Sequence, residues 1–242
     1  MRSVDDYKAN NIDVMLETEV TAVDSAKKTI TYSTKGEAEK TMSYDKLVLA
    51  TGGSPFVPPM KGVDLDGVFK IRTLDDGKRV KEWSENCKSA LVTGAGLIGI
   101  EIAYAFKEMG LKVTLCEMLP QIVPRSLDPD MAKIITDYLI EEGIDVVLGQ
   151  PITELKGEDG KVKTAVFDDG TEADADMVVL ATGVRAELGL AKMAGCDCGR
   201  WAVLVNDRMA TSVPDIYAVG DCVESYSAIL RSNTVSQLGT TA

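Results

Sequence analysis

The stretch Ala90-Leu91-Val92-Thr93-Gly94-Ala95-Gly96-Leu97-Ile98-Gly99 sets three glycines in GxGxxG spacing between a short apolar run and a longer apolar stretch. Each glycine answers a separate demand: Gly94 a tight strand-to-helix turn, Gly96 room for backbone to approach a diphosphate, Gly99 close packing of helix on strand. A helix opening at Leu97 offers free N–H groups and the positive end of its dipole to that diphosphate. Roughly 20 residues further on, Glu117 closes the run Val113-Thr114-Leu115-Cys116, where a carboxylate binds the hydroxyls of an adenosine ribose. The plain alternative for Glu117 is a surface glutamate after a strand. A 2′-phosphate about 5 Å from this carboxylate meets repulsion of roughly a few kcal/mol at an effective dielectric near 20, which favours NADH over NADPH. Arg125 is the one nearby cation that leaves NADPH open.

Working outward, apolar spacing predicts a helix over 97–109 stopped by Gly110, a strand over 111–116, and a helix opened by Asp128 and Pro129 and stopped by Gly143. A strand over 144–148 follows, and upstream lie a weakly amphipathic helix over 73–86 and a buried strand over 89–93. Strand, helix, strand, helix, strand with short connections predicts an α/β fold: a doubly wound, parallel, Rossmann-like sheet joined by right-handed crossovers. Residues 13–16, 19–23 and 29–32 read as short β runs, and 46–49 as a buried strand ended by Gly52-Gly53 and the cluster Pro55, Pro58, Pro59.

An internal repeat organises the whole. Val48-Leu49-Ala50-Thr51-Gly52 recurs identically as Val179-Leu180-Ala181-Thr182-Gly183, each copy preceded by two short β runs joined by a charged turn. The matching context favours a tandem pair of similar half-domains. Laying the interval between Gly94 and Gly183 onto the first copy puts the equivalent glycines before Met1, so a missing front end is expected.

Composition narrows the chemistry. The 242 residues are 45% hydrophobic and 26% charged, which suits a globular protein of one large or two small domains. A net charge of −12 repels nucleic acid and anionic lipid, so neither nucleic-acid nor membrane partners are expected. With no histidine, Ser-His-Asp and Cys-His nucleophiles and imidazole proton shuttles drop out. Five irregularly spaced cysteines and the lack of an export signal suit the cytoplasm. Cys196-Asp197-Cys198 is the only close pair, and its spacing could form a strained redox pair or half of a metal site; without a second pair it reads as loop thiols, and no metal is expected.

The run 91–117, the two Ala-Thr-Gly triplets, Arg125-Ser126-Leu127-Asp128 and Asp215-Ile216-Tyr217-Ala218-Val219-Gly220-Asp221 resemble the pyridine-nucleotide-disulfide oxidoreductases, most closely the NADH oxidase, NADH peroxidase and coenzyme A disulfide reductase branch. The resemblance implies an NAD(H)-binding domain inserted into an FAD-binding domain, with hydride passing from nicotinamide to flavin. It divides the chain into a partial FAD-domain segment over 1–70, an NAD(H) domain over 71–190 and a returning FAD segment over 191–242. By resemblance, Gly94, Gly96, Leu97, Ile98 and Gly99 cradle the NADH diphosphate, Glu117 holds the ribose, and Gly183 lines the nicotinamide side. Glu101 either approaches the nicotinamide or is a solvated helix residue. Val20 contacts the FAD adenine, Thr51 and Gly52 cover its phosphates, and Asp221 meets its ribityl and phosphate region. The family's first GxGxxG and its redox cysteine fall in a segment this chain lacks, no catalytic residue is assigned, and Gln237-Leu238-Gly239-Thr240-Thr241-Ala242 resembles the start of the helix facing the flavin.

Three functions follow as expectations: an NADH-dependent flavoprotein oxidoreductase or a piece of one, a non-catalytic NADH-binding module, and one chain of a split flavoprotein. Small-molecule cofactors are the expected partners, with a homo-oligomer or a complementary chain supplying the missing FAD half.

Overall fold

The computed structural model describes residues 3–235, and the chain divides into two compact units. One runs through Gly53 and resumes at Arg185; the other is Ser54–Val184. The expected boundaries after residues 70 and 190 are therefore corrected. Val68–Lys70 pairs in parallel register with Met177–Leu180, which draws the connector into the inserted unit. Glu187 hydrogen-bonds Thr51 and Gly52, which returns 185–190 to the first unit.

The Ser54–Val184 unit is built on a five-stranded parallel sheet in the order Val68–Lys70, Met177–Leu180, Ser89–Thr93, Lys112–Glu117, Asp145–Leu148. Alternate residues face opposite ways, as the period of two requires. Ala90, Val92, Val113, Leu115, Met177 and Val179 enter one core with helices Leu74–Ser84, Leu97–Glu108 and Pro129–Glu141. Leu91, Cys116, Val178 and Leu180 enter another, against the antiparallel meander Ile152–Glu158, Lys161–Phe167, Glu172–Asp174. The sheet is thus Rossmann-like, with helices on one face and a β layer on the other. Thr73 caps its helix reciprocally with Asp76. Asp128 occupies the N-cap ahead of Pro129 but makes no side-chain capping bond. The two ends of this unit are tied to each other: Phe56 N–H donates to the Gly183 carbonyl (2.9 Å) and Thr182 Oγ1 to the Phe56 carbonyl (2.7 Å).

Asp176 pins the start of the sheet. Its carboxylate accepts from the N–H groups of Lys88 (2.9 Å) and Ser89 (3.2 Å) and pairs with Lys163 at 2.9 Å. The Lys163 ammonium and then the Lys88 N–H hold its pKa down at about 2. A depressed carboxylate stabilises the fold above its unfolded value near 4 and loses that contribution as pH falls toward 2. Asp176→Asn is expected to lower unfolding free energy at pH 7 by about 1 kcal/mol after solvent screening. The gap from wild type closes between pH 4 and 2 in urea titrations; a gap that is flat with pH contradicts this account.

The first unit holds the antiparallel meander Thr18–Asp24, Thr29–Thr34, Lys40–Ser43, a parallel pair of Leu47–Leu49 with Ile216–Ala218, and the mixed sheet Val203–Val205, Val223–Ser227, Ser232–Thr234. In both units a three-stranded meander leads into the strand that ends in Ala-Thr-Gly. A second echo emerges here: Ile12-Asp13-Val14-Met15-Leu16 mirrors Ile144-Asp145-Val146-Val147-Leu148. Residues 145–148 form a strand, whereas 13–16, expected as a β run, do not. The later copy has Lys112–Glu117 to pair with; no strand neighbours the earlier one among the described residues. Ile144 is accordingly 1% exposed and Ile12 48%; likewise Val179 is fully buried while Val48 is 56% exposed.

Candidate functional site

In the Ser54–Val184 unit the predicted residues gather at the C-terminal edge of the parallel sheet, where open α/β sheets place their ligand crevice. Ser89–Thr93 ends in Gly94, Met177–Leu180 runs on to Gly183, and Lys112–Glu117 ends in Glu117 itself. Gly94 has φ +97°, and a Cβ there would lie 2.4 Å from the Ala181 carbonyl oxygen, so only glycine fits between the two strand ends. At Gly99 a Cβ would collide with the Gly94 carbonyl, which is how closely helix and turn approach. Gly96 differs. It is the N-cap of Leu97–Glu108, with an ordinary φ of −77°, and a Cβ there would meet no atom within 4 Å. Nothing in the fold demands glycine at 96, so the space in front of it is the feature to explain.

The N–H groups of Gly96, Leu97, Ile98 and Gly99 have no acceptor among the described residues, as the first turn of a helix leaves them. Leu97 and Ile98 turn exposed side chains to solvent, and Glu101 is exposed on the same helix. Gly183 has φ +99° and open space where a side chain would stand.

Glu117 is buried, not a surface glutamate, and its carboxylate is held by two backbone N–H groups. Oε2 accepts from the Ala95 N–H (2.9 Å) and Oε1 from the Leu119 N–H (3.0 Å). Each oxygen retains acceptor capacity for a hydroxyl. The Ala95 carbonyl in turn accepts from the Val123 N–H at 2.8 Å. These tethers went unforeseen, because a backbone bond from a residue far along the chain leaves no mark in local sequence. Beside Glu117, burial pushes the Cys116 thiol up to about 12, and burial likewise raises Cys87 and Cys198. These thiols are neutral, as inert structural cysteines are. All five cysteines are free, and among the described residues no cluster of three or more Cys, Asp or Glu side chains could hold a metal. No helix there is long and apolar enough to cross a membrane.

In the first unit, Thr51-Gly52 and Gly220-Asp221 leave the same end of the parallel pair: Leu49 lies opposite Ala218, and Val219 N–H donates to the Leu49 carbonyl at 2.9 Å. Gly52 has φ +64°, and Thr51 Oγ1 donates to the Glu187 carbonyl at 2.9 Å. Asp221 sits in the short 3-10 turn Gly220–Cys222. Val20 stands in the meander at a β-bulge and packs on the same core as Leu49 and Ala218. The stretch 237–242, matched above to a flavin-facing helix, lies outside the described residues.

Comparison with known proteins identifies the family. The profile of the family described as pyridine nucleotide-disulphide oxidoreductase matches residues 2–238. An NADH oxidase of Methanocaldococcus jannaschii is 50% identical across the whole chain, which covers 54% of that protein. A rubredoxin-NAD(+) reductase of Ectopseudomonas oleovorans is 34% identical over 89% of this chain and 55% of its own. Among solved structures, an NAD-dependent persulfide reductase from A. fulgidus superposes with TM-score 0.94 at 36% identity, covering all of this chain and 45% of that one. A water-forming NADH oxidase from Lactobacillus brevis bound to NADH gives 0.93 at 28% identity, with all of this chain and 53% of that one covered. The chain spans about half the length of the curated relatives it matches.

Proposed function

Because the chain belongs to the pyridine nucleotide-disulphide oxidoreductase family, we propose that it is the central part of an NADH-dependent flavoprotein oxidoreductase of NADH oxidase type. In this reading Gly94, Gly96, Leu97, Ile98 and Gly99 cradle the NADH diphosphate. The free N–H groups of the first helical turn meet its charge. Glu117 accepts from the adenosine ribose, while Gly183 and Glu101 border the nicotinamide end. FAD is held in the first unit by Val20, Thr51, Gly52 and Asp221. The cofactors supply the hydride chemistry, and the chain's residues bind and orient them. The observation that carries the reading is the open space at Gly96, flanked by two glycines that sterics require. Five free cysteines accord with a reducing, cytoplasmic setting.

Exposure of Val48 and Ile12 supports a second element of the reading. Their counterparts Val179 and Ile144 are covered by Ser89–Thr93, Lys112–Glu117 and the helices packed on them. The first unit therefore fits a further polypeptide segment bearing parallel strands, whether from the same polypeptide, a complementary chain or a second copy.

The test is an NADH titration followed by nucleotide competition. NADH is expected to bind with a Kd between about 1 μM and 1 mM, the span of common KM values. NADPH is expected to bind at least about tenfold more weakly, since repulsion by the Glu117 carboxylate exceeds the 1.4 kcal/mol that a tenfold change requires. A folded chain that ignores both nucleotides sinks the proposal. Incubation with FAD and desalting then tests the first unit: retained yellow colour supports an FAD site formed by this chain, and a colourless protein restricts the function to NADH binding.

A further inference from the structure

Eight non-glycine residues among those described have positive φ, and seven are Asn11, Glu17, Lys28, Asp159, Met209, Asp215 and Arg231. The eighth is Val123, at φ +44° the only β-branched residue of the set, and it is buried. A β-branched residue in this region is a true outlier, maintained only where its surroundings over-determine it. Here they do. The Val123 carbonyl accepts from Ser126 N–H (3.0 Å) and Leu127 N–H (3.2 Å), and its side chain shares a core with Ala95 and Ile122.

The consequence falls on Ala95. Its N–H is held by Glu117 Oε2 at 2.9 Å and its carbonyl by the Val123 N–H at 2.8 Å. The residue immediately before Gly96 is thus gripped on both polar groups, and its side chain is fully buried. Turning this segment would turn the free N–H groups of Gly96–Gly99 with it. We propose that Val123 is a positioning residue for nucleotide binding: its left-handed turn clamps the Ala95 carbonyl so that the glycine loop presents its N–H groups to a diphosphate before the ligand arrives. This inference rests on the NADH reading and adds to it a residue in the connection from Glu117 to Asp128, outside the glycine motif.

The test compares ADP-ribose, which carries the diphosphate, with adenosine, which does not. Val123→Asn keeps the N–H donor and tolerates positive φ; Val123→Pro removes the donor and forces φ negative. The ratio of adenosine Kd to ADP-ribose Kd is expected to stay within about threefold of wild type in Val123→Asn and to fall at least about tenfold in Val123→Pro, the size of one lost hydrogen bond. A purely structural Val123 would weaken both ligands alike and leave the ratio unchanged, which overturns the clamp. Should Val123→Pro not fold, amide exchange in the wild-type chain decides. ADP-ribose is expected to slow exchange at the Val123 amide at least about tenfold more than saturating adenosine does; equal slowing overturns the proposal. A wild-type chain that binds no ADP-ribose removes the NADH reading and the clamp together, whereas normal binding with an unchanged ratio removes the clamp alone.

Discussion

Gly96→Val is expected to raise the Kd for NADH at least about 100-fold, near 2.7 kcal/mol, while unfolding free energy falls by only about 1 kcal/mol, the cost of an apolar residue at a helix N-cap. The separation arises because a Cβ at 96 enters open space at an unstrained φ, with no atom within 4 Å of it. The same space is where the first-turn N–H groups converge, so branched carbons there exclude a diphosphate. Gly94→Ala is the control with the opposite balance. Its methyl group would lie 2.4 Å from the Ala181 carbonyl oxygen at φ +97°, so the fold suffers before the ligand is considered. Calorimetric titration with NADH and thermal unfolding, run on both variants, separate the two roles. Unimpaired NADH binding by Gly96→Val would place the diphosphate elsewhere.

Glu117→Ala carries the second large effect and acts on stability and binding together. Removing the carboxylate leaves the buried Ala95 N–H and the Leu119 N–H without an acceptor, at about 1–3 kcal/mol for each unsatisfied group. Unfolding free energy is expected to drop by about 2–4 kcal/mol, and NADH affinity to become unmeasurable as ribose contacts and loop support are lost together. Glu117→Gln divides the effect: the amide oxygen still accepts one N–H, so less stability is lost, and removal of the charge brings NADPH closer to NADH in affinity. Glu117→Ala as stable as wild type would mean that the carboxylate does not brace the glycine loop.

Much of this was legible in the sequence because periodicity and glycine spacing are local signals. Helices at 74–84, 97–108 and 129–141 and the strands between them followed from apolar spacing, caps and stops. The repeat of Val-Leu-Ala-Thr-Gly announced two related units. What escaped the sequence depended on partners distant along the chain. Residues 13–16 have a strand-like pattern and, among the described residues, no strand beside them, and strand formation requires a ladder. The boundary at Ser54 was hidden because Val68–Lys70 is too short to reveal that Met177–Leu180 pairs with it. The grip of Glu117 and Val123 on Ala95 had no local signal at all. Nothing in Ile122-Val123-Pro124 asks for a left-handed valine; tertiary contacts impose it.

The knotting of Phe56 to Gly183 and Thr182 alters the order in which this polypeptide can acquire its shape. For the flanking segments, 131 intervening residues would be a flexible loop whose closure costs about 4 kcal/mol beyond a constant term. Once the inserted unit has folded and its ends are fastened, that loop collapses to a short bridge, and Leu47–Leu49 meets Ile216–Ala218 as though they were near neighbours in sequence. A topology with high nominal contact order then folds as two nested problems, each more local than the chain suggests. The inserted unit would reach its native state first, and the host pairing would follow as a fast docking step.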